Sequence, residues 1–279
     1  MLTGFDHVTL VVQDLETAVA QYASLFGREP SWRGAHPELG TRAALFALEN
    51  SLIELVGPAP DAEEAEALRT LLAERGEGLQ ALAFATEDAA ACSRELRERG
   101  LRVTPPQAGV ARGDDGSERE YATVELSARN TRGLSVFAVQ RPDLARLRPQ
   151  LSAAGAMPHA LDHVVLRSAD LDAAVRLYGT GLGLRLALDR EFRGTRMLFF
   201  RIGGVTLEVV HDPSQGEADR LWGLAYRVRD IEAARLRLTA AGFAAGELRD
   251  GNKPGTRVFT LRSGTCGVPT LILLDPART

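Results

Sequence analysis

The chain has 279 residues, 45% of them hydrophobic, which is enough apolar material for two ordinary cores. Its 33 basic and 37 acidic side chains are interspersed, and the formal net charge of -4 supplies no extended positive field, so nucleic acid and anionic membranes are set aside as partners. No apolar run is long enough to span a bilayer and the opening MLTGFDHVTL lacks a leader pattern, so a soluble, cytoplasmic protein is expected.

In chain order, FDHVTLVVQDLETAVAQYASLFG from Phe5 comes first. It holds an apolar run, an Asp suited to capping, apolar residues at helical spacing, and a Gly where a helix would end. It reads as strand, turn, helix. The β-rich runs TRAALFAL and SLIELVG follow, bounded by turn residues, and complete a βαβββ module over about residues 1–60. LQALAFATEDAAACSRELRERG from Leu79 has the same grammar and opens a second module, about 78–141. Its stretch Gly113-Asp114-Asp115-Gly116-Ser117 reads as a solvated strand connection without calcium-loop spacing. Residues 141–159 carry three prolines and few large apolar side chains, a linker composition with room for one short helix.

LDHVVLRSADLDAAVRLYGTGLG from Leu161 and LWGLAYRVRDIEAARLRLTAAG from Leu221 open the third and fourth modules, about 161–213 and 221–276. Gly179, Gly181 and Gly183 follow a helix instead of preceding one, so they read as helix termination and not as a phosphate cradle. Cys92 and Cys266 lie outside any CxxC pair, which argues against a disulfide framework or a zinc–cysteine cage. The first and third segments align without gaps at an offset of 163 − 7 = 156, and the second and fourth at 221 − 79 = 142. Gly40-Thr41-Arg42 precedes Glu54 as far as Gly194-Thr195-Arg196 precedes Glu208, both pairs being related by 154. The chain is a fourfold repeat in two homologous halves.

The Asp-His-Val triplets and the fourth-strand glutamates, His7 with Glu54 and His163 with Glu208, resemble the vicinal oxygen chelate superfamily of glyoxalases, bleomycin-resistance proteins and extradiol dioxygenases. The resemblance spans nearly the whole chain. It implies an α+β fold in which four βαβββ modules form two paired-module glyoxalase-like domains with curved mixed sheets, at residues 1–142 and 160–279, joined by a linker at 143–159. It also implies a metal in each family bowl, held by first- and fourth-strand residues and polarising adjacent substrate oxygens.

Read from the residues, a His and a carboxylate on neighbouring strands begin a site for Fe, Mn, Ni or Zn. His7, Glu54, His163 and Glu208 are the candidate ligands, and Glu54 or Glu208 could serve instead as general base. A catalytic metal usually takes about three protein donors. The partner modules offer Ala81 and Phe137 in one half, and Gly223 with Leu271 or Ile272 in the other, so the metal is expected to be weakly held or absent. His36 and His211 are the candidates for a third donor. Pairing of the first module with the third, or with its copy in a homodimer, would instead gather two His and two Glu. Arg42 and Arg196 in the repeated turns, with Trp222 and Tyr226, are candidate substrate contacts, the turn arginines having a plain strand-entry role as their alternative.

Three functions stay open. One is a lyase, isomerase or dioxygenase-like enzyme acting on a small oxygenated metabolite; another is a metal-independent small-molecule binding protein of the bleomycin-resistance type; the third is a structural or regulatory dimer that keeps the His–Glu pairs for packing. Each half holds two complete modules and is expected to fold by itself.

Overall fold

A computed structural model describes residues 1–142, 147, 155–252 and 255–275. Most of the expected linker, with its short helix, and the end of the fourth module lie outside the described residues. The first module is β1 (Leu2–Val11), the helix Leu15–Phe26, β2 (Trp32–His36), β3 (Thr41–Ala47) and β4 (Leu52–Pro58). The second is β5 (Gly78–Thr86), the helix Ala89–Glu98, β6 (Gln107–Gly113), β7 (Glu118–Glu125) and β8 (Ser135–Gln140). The third contains β9 (Ala160–Ser168), helical turns Leu171–Ala174 and Val175–Gly181, β10 (Arg185–Phe192), β11 (Thr195–Ile202) and β12 (Val205–His211). The fourth contains β13 (Arg220–Val228), the helix Ile231–Ala240, β14 (Arg249–Asp250), β15 (Arg257–Leu261) and β16 (Thr270–Leu274).

Each module helix starts at the aspartate expected from sequence. Asp14 accepts from the Glu16 and Thr17 amides, and Asp88, Asp170 and Asp230 accept from Ala91, Ala173 and Ala233. Donors that the helix leaves unpaired at its first turn are thereby satisfied. Modules pair in chain order: β1 runs antiparallel to β5, and β9 to β13. Within the chain, the alternative of pairing the first module with the third is not what forms.

The first half closes into a barrel of order β1-β4-β3-β2-β6-β7-β8-β5, whereas the second is an open sheet of order β10-β11-β12-β9-β13-β16-β15-β14. Closure rests on β2 meeting β6, where Gly34 lies opposite Gly113. A Cβ on Gly34 would stand 2.2 Å from the Arg112 carbonyl oxygen, so only glycine allows the strands to approach. In the second half β14 is two residues long and does not reach β10.

Strand alternation separates two environments. Val8, Leu10 and Val12 enter the main core, while His7, Thr9 and Val11 line a concave bowl on the other face. The same division holds in β9, with Val164 and Leu166 in the core and His163, Val165 and Arg167 in a second bowl. The main core is shared between the halves. Phe26 meets Tyr226 edge-on with ring centroids 5.3 Å apart, and Arg237 donates to the Ser24 and Leu25 carbonyls at 2.7 and 2.6 Å, capping the end of the first helix. Asn50 clamps Leu161 by accepting from its amide at 3.0 Å and donating to its carbonyl at 2.8 Å.

This continuity bears on independent folding of the halves, because cutting the chain would expose the apolar faces of Tyr22, Phe26 and Tyr226, all fully buried. Residues 160–279 expressed alone are expected to aggregate or to melt without cooperativity, as read by size-exclusion chromatography and calorimetry. In the full chain Phe26→Ala should cost about 3–5 kcal/mol and lower one single melting transition. A soluble, cooperatively melting half would show that the shared core is dispensable.

Candidate functional site

The first bowl encloses about 750 Å³ and has a buried charged row on its floor. The row begins with a β-bulge: in the β1–β5 register, Phe5 faces Phe84 and His7 faces Ala83, leaving Asp6 as an extra residue. In a regular strand Asp6 and His7 would point to opposite faces; the bulge brings them together. His7 Nδ1 lies 2.6 Å from Asp6 Oδ1 and donates to it, and Arg141 reaches the same oxygen at 3.0 Å. Burial disfavours the Asp6 carboxylate, but the His7 hydrogen bond and the Arg141 charge hold its pKa below the ordinary value.

With Nδ1 committed, His7 Nε2 faces Glu54 Oε2 at 3.3 Å, buried and without a hydrogen-bond partner. Thr9, opposite Glu54 in the β1–β4 register, donates to the same oxygen at 2.8 Å. His36 Nε2 stands 3.8 Å from the other Glu54 oxygen, and its Nδ1 is 3.2 Å from the Tyr121 hydroxyl. Burial would raise the Glu54 pKa, yet His7, His36 and Arg141 bring it well below the usual carboxylate range. The two histidines then diverge. Burial opposes the charged form of both, but Glu54 and Asp6 hold the His7 pKa above its ordinary value, while His36 falls below because Arg119, Arg141 and His7 oppose the pull of Glu54.

The second bowl, of about 920 Å³, repeats the frame with a weaker row. Asp162 is again the extra residue, since Ala225 pairs with His163 and Tyr226 with Leu161. His163 Nδ1 lies 2.8 Å from Asp162 Oδ2, and Nε2 lies 3.8 Å from Glu208 Oε2. Val165 stands opposite Glu208 where Thr9 stands opposite Glu54. Burial raises the Glu208 pKa and His163 offsets it only in part.

Among the other residues picked out from sequence, Ala81 and Phe137 line the first bowl, with the Phe137 ring centroid 5.5 Å from that of His7. Gly223 and Leu271 line the second bowl, whereas Ile272 is in the core. Trp222 lines the second bowl and is 40% exposed. Three substrate-contact candidates lie elsewhere. Tyr226 is fully buried in the shared core, because β13 has its own bulge, with Trp222 as the extra residue between Leu221 and Gly223, which turns Trp222 to the bowl and Tyr226 to the core. One Arg42 nitrogen, Nη2, donates to both Asp114 oxygens at 2.8 and 2.9 Å, and Arg196 makes a two-pronged pair with Asp189 through Nη2 and Nε at 2.7 and 3.0 Å; neither lines a bowl. Of the two proposed third donors, His36 reaches Glu54, while His211 is exposed at the end of β12 and outside the bowl.

Sequence reasoning overlooked Thr9, Tyr121 and Arg141, and it overlooked the helix Glu66–Arg75, whose Ala67, Leu68 and Leu71 line the wall of the first bowl. The signal for Asp6 was present, in that the Asp of the repeated triplet recurs beside both histidines. As for a metal, His7 Nε2 and Glu54 are suitable donors and Asp6 orients the imidazole as a second carboxylate does in many metal sites. Among the described residues no three His, Cys, Asp or Glu side chains are grouped to hold an ion.

Paired modules with a His–Glu row in each bowl define a vicinal oxygen chelate architecture. A family model for a glyoxalase-like domain matches residues 5–156, and one for the glyoxalase/bleomycin resistance protein/dioxygenase superfamily matches residues 160–276. The chain belongs to that superfamily. It is 30% identical over 103 residues to an ethylmalonyl-CoA/methylmalonyl-CoA epimerase of Cereibacter sphaeroides, covering 37% of this chain and 75% of the relative. Among solved structures it is similar to a mutant 4-hydroxymandelate synthase from Streptomyces coelicolor, with a TM-score of 0.71 at 17% identity over 100% of this chain and 95% of that one. It is also similar to a Mn(II)-bound glyoxalase from Novosphingobium aromaticivorans, with a TM-score of 0.67 at 15% identity over 98% and 82%. At these identities the two structures attest the shared fold. No helix among the described residues is long and apolar enough to cross a membrane.

The raised His7 pKa makes stability depend on pH with a definite sign. A folded value above 6.5 means that His7 stabilises the fold fully below that pH, and the contribution is lost as pH rises through the folded value. The Tm advantage of the wild type over His7→Gln should therefore be larger at about pH 6 than at about pH 9, as measured by calorimetry. A constant gap would mean that His7 is neutral between its two carboxylates.

Proposed function

We propose that the first bowl binds a small oxygenated metabolite and transfers a proton at the carbon beside its carbonyl. One observation carries the reading: a half-open bowl whose floor holds a buried carboxylate flanked by two histidines, with a helix along its wall. The opposed pKa directions of His7 and His36 support it, since groups whose environments push them apart divide into acid and base roles. In this mechanism His36 is neutral near pH 7. With Nδ1–H donated to the Tyr121 oxygen, its Nε2 lone pair accepts the proton, and Glu54 stabilises the imidazolium that forms. His7, held by Asp6, keeps Glu54 ionised throughout. An Fe, Mn, Ni or Zn ion would be held by His7 Nε2 and Glu54 and would polarise the carbonyl oxygen, while the proton moves from substrate carbon to His36.

The similarity to an epimerase supports proton transfer as the reaction class, because inverting a centre beside a carbonyl removes one proton and returns another. The missing third donor favours a second reading, a binding protein that retains a small molecule unchanged. Incubation in D2O with 2-oxo acids, 2-hydroxyaldehydes and acyl thioesters, followed by proton NMR, separates the two. Exchange at the carbon beside the carbonyl is expected, reduced about 100-fold or more in Glu54→Gln and His36→Gln. Saturable binding without exchange would establish the retention reading. Calorimetric titration with each metal is expected to give weak binding, and near-stoichiometric metal surviving purification would overturn the two-donor assignment.

A further inference from the structure

The two bowls differ most at their charged positions. The offset of 154 that takes Glu54 to Glu208 also takes Leu45 to Phe199 and Ala47 to Arg201. The pairing of β2 with β3 and of β10 with β11 sets Arg190 where Gly34 stands and Phe192 where His36 stands. A glycine and a buried alanine of the first half are thus bowl-lining arginines in the second. Arg249 and Arg262 join them from the fourth module, and all four line the cavity.

Positive charge exceeds negative here. Among the described residues none of the four forms an ion pair; Glu208 and Asp162, the two lining carboxylates, are within electrostatic reach of Arg190 and Arg201 but contact His163, and Asp162 also Arg227. The fifth lining arginine, Arg167, is 3.5 Å from Asp212 and lies 4.4 Å over the Trp222 ring. A separate observation comes from the sheet register, where Arg201 stands directly opposite Arg185 across β10–β11. Like charges so placed destabilise a sheet, and an anion beside them would remove the repulsion.

Trp222, Phe199, Met197 and Val258 give the lining an apolar part beside its threonines and Ser263. Access is open because β14 does not meet β10. A carboxylate satisfies one guanidinium fork, whereas a phosphate carries more charge and a third acceptor oxygen, so it can engage several arginines at once. We propose that the second bowl is a binding site for a phosphate-bearing amphiphile, with its head among Arg190, Arg201, Arg249 and Arg262 and its aromatic or acyl part against Trp222 and Phe199. This site is separate from the first bowl and does not rest on the proton-transfer reading.

Trp222 reports on the site directly, since the chain has two tryptophans and Trp32→Phe leaves it as the only fluorophore of its kind. The full-length Trp32→Phe protein is titrated with phenyl phosphate, benzoate, phenol and inorganic phosphate. Phenyl phosphate is expected to change Trp222 emission saturably, with affinity that falls as salt is raised and exceeds that for benzoate, phenol and inorganic phosphate by about tenfold or more. Arg201→Gln and Arg249→Gln, whose side chains are exposed and whose folding is checked by circular dichroism, should each weaken it about fivefold to tenfold, while His7→Gln leaves it unchanged. Equal binding of phenol would reduce the site to an apolar bowl and overturn the proposal. Equal binding of benzoate would overturn the choice of phosphate, equal binding of inorganic phosphate would overturn the amphiphile, and arginine variants without effect would overturn the site itself.

Discussion

The charged chemistry of both bowls hangs on one extra residue in the first strand of each half. Without the bulge, Asp6 would point away from His7, towards the side occupied by Val8 and Leu10, where an unpaired carboxylate would carry a desolvation cost of several kcal/mol. With it, Phe5 faces the core while His7, two residues on, faces the bowl. The carboxylate then holds the imidazole by Nδ1, and the free Nε2 is turned towards the fourth-strand glutamate. Asp162 and His163 repeat the device in the second half. Position of the histidine, choice of tautomer and ionisation of the glutamate all follow from that one irregularity.

What is built on the frame differs between halves. In the first, Thr9, His36 and Arg141 crowd around Glu54 and Asp6, a glycine contact closes the barrel, and an inserted helix lines the wall. In the second, valine replaces the threonine, Phe192 takes the register position of His36, and the sheet stays open. The same His–Glu pair is therefore a strongly coupled ionic row in one bowl and a loosely coupled one in the other. Homologous frames thus carry a histidine-flanked carboxylate in one bowl and an arginine-rich lining in the other.

The fold was largely legible because it rests on short-range rules. Aspartates at helix starts, alternation in strands and the repeat offsets all act within a few residues or recur at fixed spacing, and the capping atoms bear them out at Asp14, Asp88, Asp170 and Asp230. The His–Glu pairs were legible for the same reason. Tyr121 and Arg141 were not, because they come from the second module and join His36 and Asp6 only when the barrel closes. Tyr226 was misplaced through a one-residue slip of facing, the kind that a bulge introduces and an alternating pattern hides. Arg42 and Arg196 sit at equivalent positions, and each pairs with an aspartate on a neighbouring connection or strand, away from the bowl linings.

The division of β1 into His7, Thr9 and Val11 on one side and Val8, Leu10 and Val12 on the other has a consequence for descent. Positions that meet ligand and positions that hold the two halves together alternate along the strand without sharing a side chain. A substitution in a bowl therefore leaves the common packing unchanged, and after the ancestral duplication each bowl could drift towards its own ligand without endangering the other. A lineage with such a scaffold can change what it binds one alternate residue at a time.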